Sequence, residues 1–502
     1  MKKGKIMIRR DAVCGETDPR LFGSFIEHLG RAVYGGIYEP SHPSADDMGF
    51  RQDVLRMVRA LHVPLVRYPG GNFVSGYHWE DGIGKRECRP RRMELAWRCI
   101  EPNTIGIDEF QAWAKSAGAE IMMAVNLGTG TPEEARNLVE YCNCNTDTEY
   151  AEKRRKNGFP EPFGIRTWCL GNEMDGNWQI CHKTASEYAR IACETAKLMK
   201  WTDPEIELVA CGSSAPNMKT FGEWERTVLR ECYDWIDYLS LHSYYSNANG
   251  DTADFLAQSL DMDAFIRQTA AICDEIKTEL HAEKTIYLAF DEWNVWFHSN
   301  EQDRQIPAWQ IAPPLLEDVY NLEDALVIGC LLLTLLRHCG RVRIACLAQL
   351  VNVIAPIMTE NGGSAWAQTI YYPFLHASLY GRGTVLQTVC QCGTYDTAQH
   401  AQVPDLDATA VLQENKRELT VFAVNRSAET VYEPEFVGLD DMQLQAHIVL
   451  TGADLKLSNT AAHPHAVEPE TLPVAQSVQL KPYSWNVLRF ASYTPEESQL
   501  DA

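Results

Sequence analysis

Two stretches decide the fold: Thr167-Trp168-Cys169-Leu170-Gly171-Asn172-Glu173 and Ile286-Tyr287-Leu288-Ala289-Phe290-Asp291-Glu292. Each is a short apolar run bounded by turn residues, the pattern of a strand buried on both faces of a parallel sheet. Each ends in a carboxylate with polar and aromatic neighbours: Asn172 and Trp178 in one case, Trp293, Asn294 and Trp296 in the other. In a (β/α)8 barrel, reacting groups stand at the C-terminal tips of the strands. Two glutamates there suit cleavage of a glycosidic bond with retention, one as acid/base and one as nucleophile.

Working outward, further strand candidates alternate with helical patterns. They are Leu21–Glu27, Val63–Tyr68, Glu120–Asn126, Glu207–Cys211, Tyr238–His242 and Arg343–Gln349, with the two stretches above as Thr167–Asn172 and Thr285–Asp291. The eight strands match a TIM barrel and put the glutamates on the fourth and seventh. Helices are predicted around Asp108–Ala114 and Ala185–Lys200. Thr131-Pro132-Glu133-Glu134 reads as an N-cap, a proline at the first helical position and a capping-box glutamate.

Past about Gly381 the helical period gives way to short alternating runs, among them Ala408–Leu412, Leu419–Val424, Gln445–Leu450 and Trp485–Phe490. These predict an all-β sandwich, read as a structural domain packed on the barrel. The expected organisation is a barrel over 19–380 and a β-sandwich over 381–502. An N-terminal strand within 1–18 is expected to join that sandwich.

Composition narrows the function. The 502 residues exceed one ordinary domain, and 45% hydrophobic with 23% charged residues permits a large core. A formal charge of −23 disfavours nucleic acid and anionic membranes and suits neutral substrates such as sugars. Met1 to Arg10 carries charge without an apolar core, so no secretory signal is read there. Ala325 to Leu336 is shorter than the ~20 residues of a membrane span and reads as a buried barrel helix. The sixteen cysteines are expected to be reduced thiols in a cytoplasmic protein. With no Cys-x-x-Cys or His-Glu-x-x-His, no structural metal is expected.

At Gly171–Gly176 and Phe290–Asn294 the chain closely resembles the α-L-arabinofuranosidases of glycoside hydrolase family 51. The likeness extends through Phe22–His28, Arg67–Phe73, His242–Tyr245 and Ala348–Asn352, in order across nearly the whole barrel. The resemblance implies Glu173 as acid/base and Glu292 as nucleophile. It implies that Glu27, Asn72, Asn172, Tyr244 and Gln349 hold the furanose, and that Arg67 and Tyr244 orient the nucleophile. Trp97 and Trp296 match aromatic positions near the leaving group. His242 reads as a strut beneath the nucleophile, outside the reacting set. Asn177, Cys181 and Asn361 stand where the family pattern commonly has Pro, Gly and Pro, which bears on leaving-group preference.

The implied activity is exo-hydrolysis of arabino-oligosaccharides without a cofactor, in a homo-oligomer that the resemblance makes a hexamer. The rivals are an endoglucanase or β-xylosidase of the same fold, and a non-catalytic sugar-binding barrel.

Overall fold

The structure, a computed structural model, describes residues 1–413, 417–475 and 477–492. Eight parallel strands close into a barrel: β1 (Gly23–Phe25), β2 (Leu65–Tyr68), β3 (Glu120–Val125), β4 (Thr167–Leu170), β5 (Glu207–Ala210), β6 (Tyr238–Tyr245), β7 (Tyr287–Val295) and β8 (Val342–Leu347). Cys346 and Leu347 of β8 pair with Gly23 and Ser24 of β1 to complete the ring. All eight lie where the apolar runs predict them. Their ends differ, and one difference matters. β6 and β7 continue together as far as Tyr245 and Val295, beyond the rim set by the shorter strands. Glu292 is therefore within a strand rather than at its tip, because pairing with β6 carries β7 past the carboxylate.

The helices start where local chemistry tells them to. Thr131 accepts the Glu134 N–H while the Glu134 carboxylate accepts the Thr131 N–H, opening the helix Pro132–Asn143. The same reciprocal cap at Asn321 and Asp324 opens Leu322–Arg337. Every residue of that helix from Leu322 to Leu336 is buried, because it lies between the barrel and the β-sheet domain. No helix among the described residues is long and apolar enough to cross a membrane.

In the second domain eight strands form one hydrogen-bonded sheet. Its order is Tyr432–Val437, Lys2–Glu16, Gly383–Gln391, Leu406–Gln413, Glu418–Asn425, Ser484–Ser492, Met442–Leu450 and Glu470–Leu472. Side chains alternate across it. Val421, Ala423 and Leu488 face a core of the sheet's own with Ile6 and Ile8. Phe422, Val424, Trp485 and Val487 face the barrel and join its core. The final residues of the expected C-terminal domain, 493–502, lie outside the described residues. At the junction Asp407 accepts from Arg337 at 2.6 Å and from Arg426 at 2.7 Å.

Gly329, inside the buried helix, lies against the Trp485 ring: a Cβ there would sit 2.7 Å from Trp485 Cε3. On an exposed helix, Gly→Ala would gain about 1 kcal/mol. Here the buried ring, stacked on Phe422, must shift, and overpacking costs about 1–3 kcal/mol. Gly329→Ala is expected to lower the denaturant midpoint, and a raised midpoint would contradict this contact.

Candidate active site

Glu173 and Glu292 reach the barrel mouth by different routes. After β4 the chain turns through Gly171 (φ 85°) and Glu173 (φ 45°), both left-handed. Glycine adopts that conformation freely, but a glutamate there is strained, which is typical of reacting groups held in place by their surroundings. The Gly176 N–H bonds the Glu173 carbonyl at 2.9 Å and closes the turn. Glu292 comes from β7, level with His242 of β6, just after a bulge in the pairing of the two strands.

Arg67 of β2 joins Glu292 to the residues beside it. Its Nη1 donates to Glu292 Oε1 at 2.6 Å and its Nη2 to Asn172 Oδ1 at 2.7 Å; Nε lies 3.1 Å from Asp291 Oδ2. The other oxygen of Glu292 accepts from Tyr244 Oη at 2.8 Å. His242 places Nδ1 2.9 Å from Glu173 Oε1 and 3.7 Å from Glu292 Oε2, with Nε2 3.4 Å from Asp291 Oδ1. Glu173 Oε2 accepts from the indole of Trp178 at 2.7 Å. One oxygen of Glu173, one of Glu292 and a ring nitrogen of His242 all lie within 4.8 Å of one another.

A second group hangs from Glu27, just after β1. Its Oε1 accepts from the Phe73 N–H at 2.8 Å and from the Trp97 indole at 2.9 Å, while its own N–H donates to Gln349 Oε1 at 3.0 Å. Asn72 links this side to the other through a long 3.4 Å contact from Asn172. Trp296 stands edge-on to Tyr244, ring centres 5.3 Å apart.

These groups surround a cavity of about 480 Å³, within the range of small-molecule sites. Of the residues singled out in the sequence, Glu27, Asn72, Trp97, Glu173, Tyr244, Glu292, Trp296 and Gln349 line it. Arg67 and Asn172 lie underneath and act through their bonds to Glu292 and to each other. Trp97 is a hydrogen-bond donor to Glu27 as well as a wall. Sequence reading understated His242, which touches the Glu173 carboxylate, and Trp178, noted there only as a neighbour. It missed Leu29, Ala96, Ser214, Leu316 and Ile354, apolar or small lining residues with no signal beyond their position in βα loops.

Burial and charge set the protonation states. Burial alone would drive the proton off Arg67, but Asp291 and Glu292 hold the guanidinium charged, well above its ordinary range. Burial also opposes the imidazolium of His242; the charges of Glu292 and Asp291 outweigh it and push the group up to about 10. Burial raises Glu27 to about 8 against the donors Phe73 and Trp97. Burial, then the charge of Glu292, keeps Tyr244 a neutral phenol able to donate.

The site is built like a glycosidase, and comparison with known proteins identifies which. Models of the α-L-arabinofuranosidase 1 domain and of the α-L-arabinofuranosidase C-terminal domain match residues 57–264 and 291–484. The chain is 54% identical to the intracellular exo-α-(1→5)-L-arabinofuranosidase of Acetivibrio thermocellus, over 97% of this chain and 99% of that one. It belongs to the α-L-arabinofuranosidases of glycoside hydrolase family 51. An exo-α-(1→6)-L-arabinofuranosidase of Bifidobacterium longum is 46% identical over 97% of each chain. A family 51 arabinofuranosidase structure from Bifidobacterium longum superposes with a TM-score of 0.93 at 46% identity, covering 98% of this chain and all of that one. The arabinose complex of the Thermotoga maritima α-L-arabinofuranosidase gives 0.87 at 34% identity, covering 97% and 99%. The chain is thus a glycoside hydrolase.

The protonation states carry a stability consequence. His242 binds a proton more tightly folded (about 10) than as a free imidazole (6.5), so its contribution is complete below about pH 6.5 and is lost as pH rises towards 10. Stability should therefore fall between pH 7 and 9.5, and His242→Asn should flatten that fall. Denaturant midpoints at both pH values measure it; an unchanged slope in the variant would mean that His242 is not the cation inferred.

Proposed function

We propose that this chain is a retaining exo-α-L-arabinofuranosidase with Glu173 as acid/base and Glu292 as nucleophile. The observation that carries the reading is the 4.8 Å limit on the separation of their nearest oxygens. Retaining pairs stand about 5–5.5 Å apart, whereas inverting pairs leave about 6.5–9.5 Å for a water. Arg67 and Tyr244 each hold one oxygen of Glu292, which suits a group that must stay ionised and aimed at the anomeric carbon. In the first step Glu292 bonds that carbon as the C–O bond to the leaving group breaks, and Glu173 protonates the departing oxygen. In the second, Glu173 takes a proton from water, which attacks the same carbon and releases Glu292.

Glu27, Asn72, Asn172, Tyr244 and Gln349 are proposed to bind the furanose, with Trp97 and Trp296 towards the leaving group. The relatives at 52–55% identity are named exo-α-(1→5) enzymes and the Bifidobacterium longum enzyme at 46% an exo-α-(1→6) enzyme, which favours 1,5-linked arabino-oligosaccharides. The word intracellular in the names of the closer set supports a cytoplasmic location. Residues 1–18 and 381–502 are proposed as one structural unit beside the barrel. A homohexamer is also part of the proposal, to be checked by light scattering.

Two measurements test it. With Glu173→Ala, aryl arabinofuranosides should still form the covalent intermediate, and azide should restore turnover to a glycosyl azide of retained configuration; Glu292→Ala should form no such intermediate. Labelling of Glu292→Ala at the active site, seen by intact mass, would reverse the roles.

Ring size is the second test. 4-Nitrophenyl α-L-arabinofuranoside should be cleaved with kcat/KM at least ~100-fold above the β-D-xylopyranoside, since sites built to bond a hydroxyl can reject a substrate lacking it by ~10⁴–10⁵. Comparable rates would move the assignment to a β-xylosidase.

A further inference from the structure

Glu173 has two oxygens, and both are occupied. His242 holds Oε1 at 2.9 Å, so Oε2 is the oxygen left to meet a leaving group. The indole N–H of Trp178 occupies it at 2.7 Å. An indole can only donate, and a bond to a charged acceptor is about twice as strong as a neutral one, so this bond tightens as negative charge develops on Oε2.

The surroundings fix the backbone of Trp178 and leave its ring accessible. Gln179 N–H bonds the Gly176 carbonyl at 3.0 Å and Lys183 N–H the Met174 carbonyl at 2.8 Å. The buried Gln179 side chain reaches Ser75. The Trp178 ring lies across Gly176, where a Cβ would come within 2.5 Å of Cε2 and Cζ2. Yet Trp178 is 51% exposed, unlike the other tryptophans of the cavity wall. The loop is closed by backbone bonds, and its half-exposed indole lies over Glu173.

We propose that Trp178 is a further catalytic residue, whose indole N–H stabilises the negative charge that grows on Glu173 as it protonates the leaving oxygen. In the free enzyme the indole stands where that oxygen will arrive. As the substrate enters, the ring turns on Gly176 far enough to admit the oxygen while its N–H follows Oε2. The proton passes from Glu173 to the departing oxygen, and the electron pair left on the carboxylate is the charge the N–H meets. The help is therefore worth most where proton transfer matters most, on unactivated sugar leaving groups. It is worth little on 4-nitrophenolate, which departs without a proton.

The inference rests on Glu173 being the acid/base, and one experiment separates the two. Wild type, Glu173→Ala and Trp178→Phe are each assayed on 4-nitrophenyl α-L-arabinofuranoside and on a 1,5-linked arabinobiose. Trp178→Phe removes the N–H and keeps an aromatic ring beside Gly176, and because the smaller ring alters packing for both substrates alike, the difference between the substrates is the readout. It should lose on the order of tenfold in kcat/KM on the disaccharide, the size of one charge-assisted bond, and less than about threefold on the aryl substrate. Equal losses on both substrates, a larger loss on the aryl substrate or no loss on either would overturn the role of Trp178. Glu173→Ala should discriminate between the substrates in the same sense and more strongly. If it hits both equally, the acid/base reading fails rather than that of Trp178.

Discussion

The site depends on one buried cation. Arg67 is 1% exposed, inside a barrel of apolar strands, where an unpaired guanidinium would cost several kcal/mol. It is tolerated because Glu292, Asp291 and Asn172 converge on it from β7 and the turn after β4, and Phe25 of β1 offers its ring face 4.9 Å away. Three strands and the turn after a fourth meet at one side chain. Removing it would leave Asp291 and Glu292 with only the His242 imidazolium to balance two buried charges, a loss of about 3–5 kcal/mol by analogy with broken buried pairs. The residue that aims the proposed nucleophile therefore also supports the barrel mouth.

Charge counting extends this to the proposed reaction. Arg67 and the His242 imidazolium are two buried positive charges, and Asp291 and Glu292 are two negative ones. That set is neutral with Glu173 protonated. When Glu292 becomes an ester it loses its charge, and an ionised Glu173 restores the balance. A proton can thus leave Glu173 in the first step and return in the second without a net charge being buried at either end. His242 is the hinge of this exchange because it lies within 4 Å of all three acids. A strut need not be charged; this one must be, which is why reading it as a strut understated it.

The sequence makes the barrel legible because each buried strand is an apolar run ended by a turn. The residues around the cavity are legible too, since Glu27, Arg67, Asn172, Tyr244 and Gln349 sit within or just past those runs. Strand ends are harder: nothing in Thr285–Asp291 says that pairing with β6 carries β7 on to Val295. The continuous sheet of the second domain is equally hidden, because its neighbours, such as Lys2–Glu16 and Gly383–Gln391, lie hundreds of residues apart. Leu316 and Ile354 face the cavity only because long loops fold back over it, and loop paths carry no periodicity to read.

That division has a physical consequence for how such an enzyme can vary. The proposed furanose end is built from residues within or just past the strands, joined through Arg67 and Glu27, so a change there disturbs the two carboxylates. The proposed leaving-group end lies among loops, two of which lean on each other by backbone bonds: Trp309 N–H to the Arg98 carbonyl at 2.6 Å and Ile100 N–H to the Gln310 carbonyl at 2.9 Å. Asn177 and Cys181, which differ from the family pattern, are exposed on the loop that carries Trp178, and the side-chain bonds that hold the Glu173 carboxyl come instead from Trp178 and His242. Linkage preference can then drift while ring preference stays fixed. Relatives that share half their sequence with this chain and carry different linkage names are what such a construction permits.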